Sequence, residues 1–88
     1  MANFMGGSAP AMAAQVADGF ILLSLNALKG FLPGDLSSLK VELDKLQRET
    51  RSEAPPADDA LANQARNRRI ARINSALQVI QAKLTTRH

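Results

Sequence analysis

The last long segment of the chain, residues 58–85, constrains the fold more than any other part of the sequence. It contains neither proline nor glycine, so nothing in it interrupts a helix. Large apolar residues recur along it at alternating steps of three and four, at Ile70, Ile73, Leu77, Ile80 and Leu84. Because this spacing places them along one side of an α-helix, it predicts a long amphipathic helix that packs against another helix.

A second apolar stripe precedes this segment. Leucines follow one another at steps of three, four and three, at Leu36, Leu39, Leu43 and Leu46. They predict a helix over residues 36–53 with Asp35 as its N-cap. Pro55 and Pro56 end that helix, because a proline disfavours helical backbone in the residue before it. Asp58 is expected to cap the last helix, over 58–85, and the short connection predicts an antiparallel helical hairpin.

Folding this hairpin about residues 55–57 gives it a predicted register in which Leu46 lies near Arg66. The seam close to the turn offers threonine and alanine in place of most of the large apolar side chains, so we expect weak packing there. At the other end, Ile80 and Leu84 extend beyond the start of the second helix. Either the N-terminal helix or a neighbouring chain has to cover them.

The N-terminal part is predicted to form a further helix, over residues 10–29, after a flexible arm at residues 1–9. Ser8 is positioned to cap this helix and Gly30 to end it. Such a helix is apolar almost all round, so a single hairpin cannot cover it. The fold class is therefore all-α, with an apolar N-terminal helix before a coiled-coil-like hairpin. The predicted protein interface comprises Val16, Phe20, Ile21, Leu22, Leu23, Leu25, Leu28, Ile80 and Leu84.

The chain lacks the residues that carry most enzyme chemistry. It has no cysteine, and its one histidine is the last residue, His88. The commonest nucleophile, general base and zinc ligands are therefore missing from its interior. Asp58 and Asp59 are explained by the start of a helix, and no glycine pattern of a nucleotide-binding loop is present. We expect no catalytic activity, no cofactor and no metal site.

Positive charge is concentrated in the last helix. Residues 58–88 hold six basic and two acidic residues, a net charge of +4. A basic cluster within them comprises Arg66, Arg68, Arg69 and Arg72. It could bind a polyanion such as nucleic acid, or form a solvated face paired with Glu42 and Glu49 across the hairpin. No aromatic residue is interleaved with it, so we favour the second interpretation and keep nucleic-acid association as an alternative.

The apolar stretch over residues 11–32 also raises the question of a membrane. Its length suffices, since a spanning helix needs roughly 20 residues. Asp18 lies within it, however, and an acidic residue near the bilayer centre costs about 2.5–3.5 kcal/mol. We favour burial between protein helices and keep membrane association as a second alternative. No basic stretch precedes the apolar residues, so we expect a cytoplasmic location, with export by a signal-less route as the alternative.

The C-terminal half of the sequence resembles a known kind of hairpin. Residues Leu39 to Leu84, with the turn at Pro55 and Pro56, are similar to the small helical hairpins of bacterial type III secretion. These are the needle subunit and the needle co-chaperone. The resemblance covers the hairpin and leaves out the apolar N-terminal part.

The residue patterns favour one function over the alternatives. A charged hairpin with a separate apolar helix is typical of a small, non-enzymatic helical interaction or structural subunit. We expect it to self-associate, or to join a larger protein assembly, through its apolar first helix.

Overall fold

The computed structural model describes residues 7–85 and contains three α-helices. Helix α1 spans Ala9–Ala17, α2 spans Pro33–Ser52 and α3 spans Ala60–Thr85. The described residues include no strand, so the prediction of an all-α fold is confirmed. His88 and most of the predicted N-terminal arm, residues 1–6, lie outside the described residues.

The first helix is much shorter than predicted, because it ends at Ala17 and not at residue 29. It begins as expected: the Ser8 hydroxyl accepts a hydrogen bond from the Ala11 N–H at 3.3 Å. Its end is set by Gly19, whose φ of +88° is a left-handed conformation that glycine adopts without steric cost. The predicted helix over residues 10–29 is therefore wrong beyond its first two turns.

The backbone hydrogen bonds around Gly19 form a Schellman motif, which terminates a helix and satisfies its last carbonyls. The Gly19 N–H donates to the Val16 carbonyl at 3.2 Å, and the Phe20 N–H donates to the Gln15 carbonyl at 2.9 Å. After this motif the chain runs through residues 18–32, here named the α1–α2 loop, which includes a turn at residues 25–30.

The other two helices begin at slightly different residues from those predicted. Asp35 lies in the first turn of α2, where its carboxylate accepts a hydrogen bond from the Leu32 N–H at 3.0 Å. Asp59, and not Asp58, caps α3, because its carboxylate accepts from the Ala62 N–H at 3.0 Å. In both cases the acidic side chain stabilises the positive end of a helix, as expected from the sequence.

One core lies between the three helices. The α1–α2 loop contributes two side chains to it, Leu23 and Leu28. Ile80 is fully buried in this core and Leu84 packs against it. The part of α3 that extends past the start of α2 is thus covered by the chain itself. The other buried side chains of the core are Met12, Ala13, Val16, Ala17, Leu36, Leu39, Leu43, Ile73 and Ala76.

Helices α2 and α3 pack against each other along a polar and apolar seam. Thr50 contacts Arg69, and Gln47, which precedes it, contacts Asn74, which follows Arg69. The partners thus occur in opposite sequence order, the order that a helical hairpin gives. Arg66 reaches Thr50, beyond the predicted position at Leu46. The predicted register is therefore displaced along the seam.

Candidate functional site in the loop between the first two helices

The structure separates the nine residues of the predicted interface into three groups. Four of them are buried in the core of the chain itself: Val16, Leu23, Leu28 and Ile80. Two are half-buried, Ile21 and Leu84. The remaining three are exposed, Phe20, Leu22 and Leu25. Of the nine predicted residues, only these three are exposed, and they lie in the α1–α2 loop and not in a helix.

These three exposed residues, Phe20, Leu22 and Leu25, form what we name the apolar loop surface. Their side chains are 80%, 89% and 52% exposed. Along residues 20–23 exposure alternates, because Ile21 and Leu23 point inward while their neighbours face solvent. Four consecutive apolar residues would point around the whole circumference of a helix. Once the helix has ended at Ala17, two of the four anchor the loop and two face solvent.

A small hollow borders the apolar loop surface. It has a volume of about 130 Å³ and lies between the end of α1, the loop and the middle of α3. Its lining is mostly apolar, with Arg72 and Ser75 as the polar contributions of α3. The other lining residues are Val16, Gly19, Ile21, Leu22, Leu23 and Ala76. We name this feature the loop hollow.

Arg72 holds the end of α1 in place. Its Nη1 donates a hydrogen bond to the carbonyl of Ala17, the last residue of that helix, at 3.2 Å. Its guanidinium also lies against Gly19, at the start of the loop. A cation at a helix C-terminus both satisfies a free carbonyl and opposes the negative end of the helix dipole. Arg72 thus lines the loop hollow and also holds the end of α1, which forms one wall of the hollow.

Arg66 makes the equivalent contact at the end of α2. Its Nε donates to the Thr50 carbonyl at 3.1 Å, and its Nη2 donates to the Arg51 carbonyl at 2.9 Å. Both carbonyls belong to the last turn of α2, which ends at Ser52. The planar fork of the guanidinium suits two neighbouring acceptors, which a lysine could not bind in the same way.

Arg69 lies between these two arginines on α3 and contacts both α2 and the start of the α1–α2 loop. Its Nε donates to the hydroxyl of the buried Thr50 at 3.2 Å, and that hydroxyl donates to the Leu46 carbonyl at 2.7 Å. Its Nη1 forms an ion pair with Asp18, and both side chains are partly exposed. The sequence-based pairing with Glu42 and Glu49 is wrong, since Asp18 is the partner found in the described part of the chain.

The predicted basic cluster is thus largely engaged within the chain. Arg66, Arg69 and Arg72 all bind groups of α1, α2 or the loop. Arg68, by contrast, is exposed and makes no hydrogen bond or ion pair with a described residue. Polyanion binding by the four arginines stays a prediction, but three of their guanidiniums already have partners.

Two features of the sequence could have indicated this arrangement. The dipeptide Asp18-Gly19 is a strong turn signal, and it interrupts the apolar stretch at the point where α1 ends. Arg66, Arg69 and Arg72 are spaced by three, which places them on one side of a helix. The groups that accept hydrogen bonds from Arg66 and Arg72 could not be predicted from the sequence. They are backbone carbonyls, which every residue has.

A second, larger cleft lies beside the connection between α2 and α3. Its volume is about 340 Å³, and its lining combines small side chains with charged ones. It coincides with the part of the seam predicted to pack weakly. The lining residues are Glu49, Thr50, Glu53, Pro55, Ala62, Ala65, Arg66 and Arg69.

Within residues 7–85, no three histidine, cysteine or acidic side chains are grouped so that they could hold a metal ion. None of the helices in the same range combines the length and the apolar character that crossing a bilayer requires.

Comparison of the chain with protein-family models, with curated proteins and with solved structures gives no match.

Proposed function

We propose that the chain is a small, non-enzymatic helical subunit that binds another protein chain through the apolar loop surface. The partner is either a copy of itself or a component of a larger assembly. One observation carries this proposal: Phe20 and Leu22 are 80% and 89% exposed although the same loop has buried neighbours. The sequence thus places large apolar side chains in solvent within a segment that is otherwise anchored.

A partner that covers these side chains would gain the free energy of their burial. Burial of a Phe or Leu side chain is worth about 1.5–3 kcal/mol. Grouped apolar side chains on the surface of a soluble protein typically mark a binding site, whereas a single exposed one needs no explanation. Leu61, at the start of α3, is 79% exposed and is such a single residue. It provides the matched comparison for the apolar loop surface.

The fixed backbone around the loop supports the proposal further. Leu23 and Leu28 anchor the loop in the core, and the ion pair of Asp18 with Arg69 holds its first residue. A surface that is ordered before binding loses less conformational entropy when a partner binds. The apolar loop surface is therefore presented on a fixed base and does not have to be assembled by the partner.

Site-specific photo-crosslinking in cells that express the chain tests the proposal. A photoreactive amino acid replaces Leu22 in one variant and Leu61 in the control. We expect discrete protein adducts from position 22, whether with a copy of the chain or with another protein, and none from position 61. Absence of adducts at position 22, or the same adducts from both positions, would contradict the proposed function.

A further inference from the structure

The loop hollow has the size of one aromatic ring. Its volume is about 130 Å³, and an apolar cavity of about 150 Å³ is known to bind benzene. Three of its walls are the buried side chains of Val16, Leu23 and Ala76. An apolar group that enters it would therefore contact buried apolar side chains on these three sides.

Phe20 carries a ring of this size directly beside the hollow. Gly19 and Ile21, its two neighbours in the chain, both line the hollow, but Phe20 does not. The left-handed backbone at Gly19, with φ of +88°, turns the chain there and leaves the Phe20 side chain 80% exposed. The chain thus presents an aromatic ring and a ring-sized hollow one residue apart, and its own ring does not fill the hollow.

Arg72 favours an aromatic occupant over an aliphatic one. Its guanidinium lines the hollow and is held by the hydrogen bond to the Ala17 carbonyl. A guanidinium attracts the face of an aromatic ring, also at an exposed position such as that of Arg72. Leu22, which is also exposed, would gain no such contact.

We infer that the protein partner is a second copy of this chain, with the Phe20 ring of each copy seated in the loop hollow of the other. This inference rests on the proposed function, and it adds the identity of the partner and the contact that it makes. A ring and a hollow on one surface are self-complementary, which is the property that a two-fold symmetric interface requires. The same contact is then made twice, once in each direction.

Two single variants and their mixture test this arrangement by sedimentation. Phe20→Ala keeps the hollow but lacks the ring. Ser75→Phe keeps the Phe20 ring but is expected to fill the hollow with a ring of its own chain, since Ser75 is an exposed residue of its lining. Each variant alone should dimerise at least about tenfold more weakly than the wild type, because neither homodimer keeps a ring in a hollow.

The equimolar mixture should dimerise more tightly than either variant alone. A mixed pair keeps one of the two contacts, in which the Phe20 ring of the Ser75→Phe chain enters the hollow of the Phe20→Ala chain. Circular dichroism checks that both variants remain helical, and Ser75→Leu replaces Ser75→Phe if that variant unfolds. Leu61→Ala is the control that should leave dimerisation unchanged.

Three results would overturn the inference. They are a wild-type dimer that Phe20→Ala does not weaken, a mixture that associates no better than its components, and a wild-type chain that stays monomeric at every concentration. If a monomeric chain still gives adducts with another protein from position 22, only this inference fails. If those adducts are also absent, the proposed function fails with it.

Discussion

The guanidinium of Arg72 lies directly against Gly19, so that a Cβ placed on Gly19 would be 3.0 Å from Arg72 Cζ. Arg72 also donates to the Ala17 carbonyl. One side chain of α3 therefore fixes the last turn of α1 and the first residues of the α1–α2 loop. The position of the apolar loop surface depends on this contact, because Phe20 follows Gly19 immediately.

Replacing Gly19 should destabilise the fold for two reasons, and Gly30 separates them. Both glycines have positive φ, +88° and +84°, but a Cβ at Gly30 would meet nothing within 4 Å. Gly30→Ala should cost about 1–2 kcal/mol for the left-handed backbone alone. Gly19→Ala should cost more, since Arg72 must also move. Chemical denaturation measures both losses, and equal losses would show that the contact of Arg72 with Gly19 has no energetic weight.

Arg66→Lys should destabilise the end of α2. A lysine ammonium cannot reproduce the forked contact with the Thr50 and Arg51 carbonyls. We expect a loss of roughly 0.5–1.5 kcal/mol in the free energy of unfolding. Arg68→Lys is the matched control on the same helix, and it should leave stability unchanged because Arg68 is exposed. Thermal melts of both variants compare them, and indistinguishable melting temperatures would contradict the assigned role of Arg66.

Leu43→Ala and Ile73→Ala should each destabilise the chain strongly. Both side chains are fully buried in the core between the helices. Removing a buried Leu or Ile side chain typically costs about 2–5 kcal/mol, because a cavity remains. Val41→Ala on α2 is the control: Val41 is 59% exposed, so its loss should stay within about 0.5 kcal/mol. If the two core variants melted like the Val41 control, the core would be wrongly placed.

The hairpin helices could be predicted from the sequence because their apolar residues are periodic. The leucines of α2, and the isoleucines together with Leu77 and Leu84 of α3, recur at steps of three and four. This periodicity survives small errors in the helix ends. Leu43, Ile73 and Ile80 are fully buried as the stripes indicate. The start of α1 was equally visible, since Ser8 is a residue type that caps helices.

The length of α1 could not be predicted from the apolar stretch because that stretch has no periodicity. Phe20 to Leu23 are four consecutive apolar residues. Such a run fits a buried helix and a partly buried loop equally well. Asp18-Gly19 decides the matter locally by ending the helix. The loop hollow was equally invisible, since it exists only where the end of α1, the loop and Ser75 and Ala76 of α3 come together.

The central claim, that apolar side chains of the α1–α2 loop hold the assembly together, is tested most directly by the mass of the intact chain in solution. Sedimentation equilibrium without detergent, at low and at high salt, compares the wild type with the double variant Phe20→Ser, Leu22→Ser. We predict a mass above that of a single chain for the wild type at both salt concentrations, because apolar contacts are not screened by salt. The double variant should have the mass of one chain, while Leu61→Ser should behave as the wild type. A wild-type assembly that dissociates in high salt, or one that the double variant leaves intact, would contradict the account.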